Sequence, residues 1–245
     1  MNGKYETRGK KNRLTQLTPK CVSLAAGPKG RDNGAYRIDC EAGSYIKFPT
    51  DNGGLDAKHH PSITILFWMY PQNTDGPIFN YKTTSPFGIH MRMVSGKLFA
   101  QFTHRNYQHA LELITDQPLP LNQWHHVGSS FDDKTRMASL WLNGDQVMKG
   151  NIGSGKYSPL GTCTQDYVIL GAKGGEGPYF KGRITALGIY EDALTKKEIN
   201  AIGKASQSNL SFNLQLFYRS FEKGRASVCP ITLVVYFGRL FQKMG

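Results

Sequence analysis

The sequence of 245 residues predicts an all-β fold, a two-sheet antiparallel jelly-roll sandwich with one short C-terminal helix. Short runs rich in β-branched and aromatic residues recur along the chain, and glycine, proline, asparagine and aspartate separate them. Only one segment, near residue 195, has the capping residues and apolar spacing of a helix. Many short strands followed by one late helix are typical of a sandwich or jelly roll.

The strongest strand pattern is SITILFWMY at 62–70, which is bounded by Pro61 and Pro71. Its continuous apolar character predicts burial on both faces. The helix is predicted from LTKKEINAI, in which Thr195 and Glu198 form a capping-box pattern. The remaining predicted strands are 34–39, 44–49, a run near Phe79, 87–94, 97–104, 109–115, 167–171 and 180–190.

The stretch LNQWHHVGSSFDDKTRMASLWLNGDQV at 121–147 contains adjacent histidines and adjacent aspartates, which could suggest a metal or catalytic site. On a strand, however, His125 and His126 point to opposite faces and cannot easily chelate one metal. The pair 132–133 and the Asn-Gly at 143–144 are typical of hairpin turns. The stretch therefore predicts a three-strand meander whose residues need no chemistry to explain them.

No catalytic constellation is visible in the sequence. It contains no G-x-S-x-G motif, and no E-x-D or E-x-E that would place two carboxylates on one strand face for glycoside hydrolysis. His59 and His60 lie in a polar loop, where a solvated pair is the simpler interpretation. The glycine-rich segment 171–182 joins two predicted strands, so we expect a surface loop rather than a phosphate loop, which must open a helix.

The formal net charge is +12, which could indicate a nucleic-acid or membrane-surface partner. Residues 1–19 and 204–245 together carry +9 of that charge, so the middle of the chain is only mildly basic. The basic run 4–13 is therefore interpreted as a solvated arm, with binding of a sulfated glycan as the alternative. We expect no nucleic-acid partner.

The cysteines and the chain ends give little further guidance. Cys21, Cys40, Cys163 and Cys229 permit three disulfide pairings, and free thiols stay open as well. The start of the chain is polar and has no apolar core of a signal peptide. No apolar run approaches the ~20 residues that span a bilayer, so no membrane insertion is expected. Asn209-Leu210-Ser211 is a glycosylation pattern that matters only in a secreted chain.

Five stretches together resemble the laminin G-like, concanavalin A-like lectin/glucanase superfamily, and in particular the LamG-like jellyroll branch that includes pentraxins. They are SITILFWMYP, GKLFAQF, the segment 121–147, YVILGAKGG and YFKGRITALGIYEDALTKKEI. The resemblance covers residues 31–203 and implies two packed antiparallel sheets. It also implies structural roles for the Trp-His-x-Val, Asn-Gly and Phe-x-Gly-x-Ile residues, namely Trp124, His126, Asn143, Gly144 and Gly182.

The resemblance divides the chain into three parts. Residues 1–30 form a basic, mostly loop segment, and we expect a truncated domain start because family members usually begin with a Trp-x-Leu strand. Residues 31–203 form the LamG-like jellyroll domain. Residues 204–245 form an atypical tail that we expect to be disordered or mispredicted from non-coding sequence.

The resemblance implies a non-catalytic extracellular recognition or adhesion module that binds glycans or extracellular matrix proteins. The alternatives are a structural module of a larger extracellular protein without its own ligand, and a glycoside hydrolase on the same fold. Both the secreted location and the partners are expectations from the family, not from composition.

Pentraxin-like calcium sites use acidic and amide side chains from two loops, and this chain departs from that pattern. The loop KTTSPF has no carboxylate and the loop AKGGEG offers only Glu176, so no cofactor and no pentraxin-type Ca²⁺ site is expected. A backbone-rich calcium site stays open, with Glu176 as its candidate metal ligand. The candidate ligand-binding residues are Lys82, Lys173 and Glu176, chosen by loop position, with Asp132 and Asp133 as alternatives on the opposite rim.

Overall fold

The computed structural model describes residues 22–39, 45–49, 62–83, 88–103, 110–152, 165–172, 179–190, 192–208 and 217–219. Within these ranges the chain forms fourteen strands, one α-helix and one 3-10 turn at Pro28–Gly30. The helix, α1, is Lys196–Ser208. The strands are β1 Val22–Ala25, β2 Ala35–Ile38, β3 Ile46–Pro49, β4 Ile63–Pro71, β5 Gly76–Thr83, β6 Ile89–Val94, β7 Lys97–Thr103, β8 Ala110–Ile114, β9 His125–Asp132, β10 Met137–Leu142, β11 Asp145–Asn151, β12 Gln165–Leu170, β13 Gly182–Tyr190 and β14 Phe217–Arg219.

The strands form two sheets, which confirms the predicted sandwich. One sheet has eight strands in the order β1-β2-β13-β4-β9-β10-β11, with β14 pairing to β13. The other has six strands in the order β3-β12-β5-β6-β7-β8. The β13–β14 pair is parallel, and the other described pairs are antiparallel.

The main core lies between the two sheets and is built by alternate residues of each strand. Phe67 and Phe131 from the eight-stranded sheet and Phe79 and Phe102 from the six-stranded sheet are fully buried in it. β4 is buried along both faces, as its sequence predicts. Its other face meets a second, smaller cluster, which explains why the strand lacks polar alternation.

The segment 121–147 is a meander of β9, β10 and β11, as predicted. Asn143 and Gly144 have positive φ angles of 52° and 88°, the geometry that a two-residue type I′ hairpin turn requires. The amide of His126 donates to Asn143 Oδ1 at 3.0 Å. The turn is therefore held by its own side chain as well as by the ladder.

Three elements fall outside the predicted pattern. β1 lies within the segment 1–30 that was expected to be mostly loop, and its backbone pairs with β2 over four residues. α1 continues to Ser208, past the expected domain end at 203, and Ser206 in this extension accepts a hydrogen bond from Trp68. β14 lies in the expected tail. The three-part division of the chain itself stays a prediction.

Several sequence-based expectations concern residues outside the described ranges. These are the disulfide pairing, the polar histidine pair, the glycosylation pattern and two loop candidates. The residues are Cys21, Cys40, His59, His60, Cys163, Lys173, Glu176, Asn209 and Cys229.

Candidate functional site

Helix α1 covers the part of the outer face of the eight-stranded sheet that β4, β9 and β10 form. Leu194 and Ile199 pack against Leu66 and Trp141, which point away from the main core. The indole of Trp68 donates to the Ser206 hydroxyl at 2.8 Å. This part of the sheet is consequently closed to a ligand.

The two adjacent histidines have separate surroundings, as the strand geometry predicts. His126 lies under α1, with its ring centroid 5.0 Å from that of Trp68. Burial lowers the pKa of His126 from 6.5 to about 4, so the imidazole is neutral near pH 7. His125 instead donates from Nε2 to the Pro120 carbonyl at 2.8 Å. The two rings do not share one site.

Asp132 and Asp133 build the β9–β10 turn. The Asp132 carboxylate accepts from the Lys134 amide at 2.9 Å and from the Thr135 hydroxyl at 2.8 Å. Asp133 accepts from Arg136 at 2.8 Å. Both carboxylates therefore have partners within the turn itself, which accounts for the adjacent aspartates without a ligand.

The outer face of the six-stranded sheet carries a row of polar residues in register across four strands. Asn80 of β5 pairs with His90 of β6, His90 with Gln101 of β7, and Gln101 with Glu112 of β8. Their chain neighbours, including Tyr81, belong to the main core, so these four residues face outward. We call Asn80, His90, Gln101 and Glu112 the polar row.

Exposure rises steadily along the polar row. Asn80 and His90 are 0% and 3% exposed, Gln101 is half-buried, and Glu112 is exposed. The covered end is thus beside β12, and the open end is at the sheet edge formed by β8. A ligand approaching this face meets Gln101 and Glu112 first.

The covered end of the polar row is a chain of buried hydrogen bonds. Asn80 donates from Nδ2 to the Ala172 carbonyl at 2.5 Å, and its Oδ1 accepts from Nδ1 of His90. This fixes the imidazole orientation, because the Asn80 oxygen can only accept. Ala172 lies two residues after the end of β12, so this bond ties the end of that strand to the covered end of the polar row.

A second row lies beside the polar row and is cationic and apolar. Arg92 pairs with Phe99, which pairs with Ile114. The Arg92 guanidinium lies 4.3 Å from the centroid of the Phe99 ring. Its Nε is buried and has no hydrogen-bond acceptor in the described part of the chain. Ile114 is 37% exposed, an unusual value for a large apolar residue here.

Of the predicted ligand residues that the structure describes, only Lys82 lies on the six-stranded sheet. Lys82 lies on β5 opposite Tyr167, two positions from Asn80. Lys173 and Glu176 lie outside the described residues, and the turn of Asp132 and Asp133 belongs to the other sheet. Lys82 is thus the predicted residue whose backbone position lies nearest the polar row.

Within the described residues, no three or more His, Cys, Asp or Glu side chains form a group that could hold a metal ion. None of the described helices is long and apolar enough to cross a membrane.

Sequence reasoning did not single out Asn80, His90, Gln101 or Arg92. The available signal was the alternation of polar and apolar residues inside the predicted strands, as in IHMRMV, which marks outward positions. What no single strand reveals is which strands are neighbours. The polar row exists only because the register aligns its members.

Comparison with known proteins identifies the family. A family model described as the concanavalin A-like lectin/glucanases superfamily matches residues 41–200. The chain belongs to this superfamily. The pentraxin-related protein PTX3 of Bos taurus is 30% identical over 108 residues, which cover 42% of this chain and 28% of PTX3. The chain thus spans less than a third of that relative's length.

Solved structures share the superfamily fold at low identity. The binding domain of Paraclostridial Mosquitocidal Protein 1 has a TM-score of 0.60 at 16% identity, covering 79% of this chain and 48% of that chain. The CBM40 domain of Ruminococcus gnavus IT-sialidase, bound to α2,3-sialyllactose, has a TM-score of 0.54 at 16% identity. It covers 68% of this chain and 95% of that one. These likenesses show the lectin-type sandwich, as the sequence resemblance implied.

Proposed function

We propose that this protein is a non-catalytic, extracellular carbohydrate-recognition module and that the polar row contacts the sugar. The main support is the outer face of the six-stranded sheet. There the amide of Gln101 and the carboxylate of Glu112 line the open end of the polar row. On the other sheet, α1 covers the part of the outer face formed by β4, β9 and β10. The superfamily membership and the sialyllactose complex of the CBM40 neighbour support the same class of ligand.

The chemistry of the row suits a sugar. Hydroxyl groups both donate and accept hydrogen bonds, and an amide and a carboxylate together offer both functions. Ile114, in the adjacent row, gives an exposed apolar contact beside them. A ring bound there would place hydroxyls on Gln101 and Glu112 and its C–H face on Ile114.

The same rows support recognition rather than hydrolysis. Glycoside hydrolysis usually needs two carboxylates that flank the scissile bond. Among the residues of the polar row and of the Arg92 row, Glu112 alone carries a carboxylate. We therefore propose binding without turnover at this face.

A glycan-array screen of the full chain tests the proposal, run once with calcium and once with a chelator. Selective binding that survives the chelator is expected. Loss of one charge-assisted hydrogen bond typically costs about tenfold in affinity, so Glu112→Gln and Gln101→Ala should each weaken the selected glycan by roughly that factor.

Asp32→Asn is the matched control, because Asp32 is exposed in a turn near β2, on the other sheet. It should leave the affinity within about twofold. Binding that vanishes in chelator would contradict the calcium-independent site. No binding by a folded sample would favour a protein partner or a purely structural module.

A further inference from the structure

An outward-facing row on the eight-stranded sheet begins two residues along β4 from Trp68, the residue that contacts α1. Arg37 of β2 pairs with Arg183 of β13, and Arg183 pairs with Tyr70 of β4. The ring of Tyr70 meets Trp124 edge-on, with 5.5 Å between centroids. The neighbouring residues along these strands, such as Ile184, belong to the main core. We call Arg37, Arg183, Tyr70 and Trp124 the arginine row.

The two arginines of this row are unfavourably placed for each other. Like charges at directly paired positions of neighbouring strands are destabilising. Asp39 lies 2.6 Å from Arg37, but these side chains are 42% and 44% exposed, so their ion pair contributes little. An oxyanion bound to both guanidinium groups would replace the repulsion with attraction.

Arg183 is held in place by protein contacts but is not fully satisfied. One of its Nη atoms donates to the Ala26 carbonyl at 3.1 Å, and its guanidinium lies 4.6 Å from the centroid of the Tyr70 ring. Its Nε is buried, and the described residues offer it no acceptor. Leaving a buried donor unpaired is costly. A planar guanidinium held by these two contacts is suited to recognition of an oxyanion.

We propose that the arginine row is a binding subsite for an acidic saccharide, separate from the polar row. The carboxylate or sulfate group binds Arg183 and Arg37, and the sugar ring packs against the half-buried Trp124. An acidic sugar unites an anionic group and a flat apolar ring face within one residue, which matches two cations beside two aromatic rings. The subsite rests on its own residues, so it does not depend on the polar row.

The test is a titration of the full chain with a hyaluronan oligosaccharide, which carries carboxylates, and with a heparin oligosaccharide, which also carries sulfates. Tryptophan emission is the readout. Trp68 and Trp141 are only 7% and 6% exposed, so a change on binding reports Trp124. Binding of hyaluronan assigns the carboxylate as the recognised group, and binding of heparin alone assigns the sulfate.

Arg183→Gln should weaken binding by about tenfold or more. Arg183→Lys should lose nearly as much, because lysine keeps the charge but not the planar fork. Lys134→Gln removes the same charge from the exposed β9–β10 turn and should change affinity less than about twofold. If Arg183→Gln fails to fold in a thermal melt, Arg37→Gln carries the same expectation.

Four outcomes would overturn the subsite. One is an unchanged emission with both oligosaccharides. A second is that Lys134→Gln weakens oligosaccharide binding as much as the arginine variants do. A third is unchanged affinity in the arginine variants. Both of these results would assign the binding to general positive charge, such as that of the basic terminal segments. The fourth is competition by polyglutamate as strong as that by the oligosaccharides, which would indicate an acidic peptide site. Variants of Glu112 should leave this titration unchanged, which separates it from failure at the polar row.

Discussion

His126 lies between α1 and the eight-stranded sheet, and its burial there lowers its pKa. A Cβ atom on Gly203 would lie 2.9 Å from His126 Nδ1, so α1 can approach the sheet this closely only because residue 203 is glycine. The imidazole is covered by the helix backbone on one side and by Trp68 on the other. A charged ring would lose its hydration there without gaining a counter-ion.

This burial predicts acid sensitivity. The pKa of His126 falls from 6.5 to about 4 on folding, so the unfolded chain binds more protons between these values. The contribution is fully present above pH 6.5 and is lost as the pH falls toward 4. Between pH 7.5 and 4.5 the native protein should lose about 2 to 3 kcal/mol of unfolding free energy through this group.

Urea unfolding at the two pH values measures this loss, with His126→Gln as the comparison. The variant lacks the titrating group, so its stability should change with pH by about 2 to 3 kcal/mol less than that of the native chain. Equal pH dependence in both proteins would show that His126 is not the acid-sensitive group.

Gly182 lies at the start of β13, where this strand runs close to β4. A side chain there would collide with the Tyr70 carbonyl and with the Phe180 ring. The glycine thus lets β13 run against β4 where the family motif has Phe-x-Gly-x-Ile. These contacts support our proposal of a structural role for Gly182, and structural roles for Trp124, His126, Asn143 and Gly144 stay predictions.

At the scale of elements, α1 is stabilised at both of its ends by named contacts. The hydroxyl of Thr195 accepts from the Glu198 amide at 3.3 Å, and the Glu198 carboxylate accepts from the Thr195 amide at 2.9 Å. This is the capping box that the sequence predicts. Near the other end of the helix, the Ser206 hydroxyl accepts a hydrogen bond from the indole of Trp68. The helix also reaches the β10–β11 turn, where Asn200 donates to the Gly144 carbonyl at 3.0 Å.

Thr195→Ala should destabilise the protein by about 1 kcal/mol, because an N-cap side chain satisfies an otherwise unpaired helix amide. Guanidinium unfolding is the measurement. Lys197→Ala is the control, since this exposed residue lies two positions away and should change stability by less than about 0.5 kcal/mol. A loss in the control as large as that in Thr195→Ala would attribute the effect to helix composition rather than to capping.

At the scale of the whole molecule, the described residues form two apolar clusters. The large one fills the space between the sheets, and the small one, Leu66, Trp141, Leu194 and Ile199, joins α1 to the outer face of the eight-stranded sheet. Because β4 contributes to both, the helix and the sandwich are expected to unfold together.

Phe131→Ala in the main core and Leu194→Ala in the small cluster test this coupling. The first should cost about 3 to 5 kcal/mol and the second about 2 to 5 kcal/mol. In each variant, tryptophan emission, which reports mainly the helix-covered face, and far-ultraviolet circular dichroism should give coincident transitions. Separate transitions would mean that α1 melts independently of the sandwich.

The sequence by itself determined the fold class, most of the strand positions, the hairpin turns, the capping box and the superfamily. These features depend on residues close together in the chain, where alternation, turn residues and capping spacing act. Asn143-Gly144 is an example, since its residue types favour the positive φ angles of the turn, and Thr195 with Glu198 is another, since the two residues bond each other.

Only the tertiary structure decided the surfaces that we propose to be functional. Asn80 and Glu112 are 32 positions apart, and Arg37 and Arg183 are 146 positions apart, yet cross-strand register places each set in one row. The folded chain also decided which part of one outer face α1 covers, and that Glu112 is exposed on the edge strand of the other sheet. Strand order and register arise from the packing of the entire core, so no local pattern specifies them.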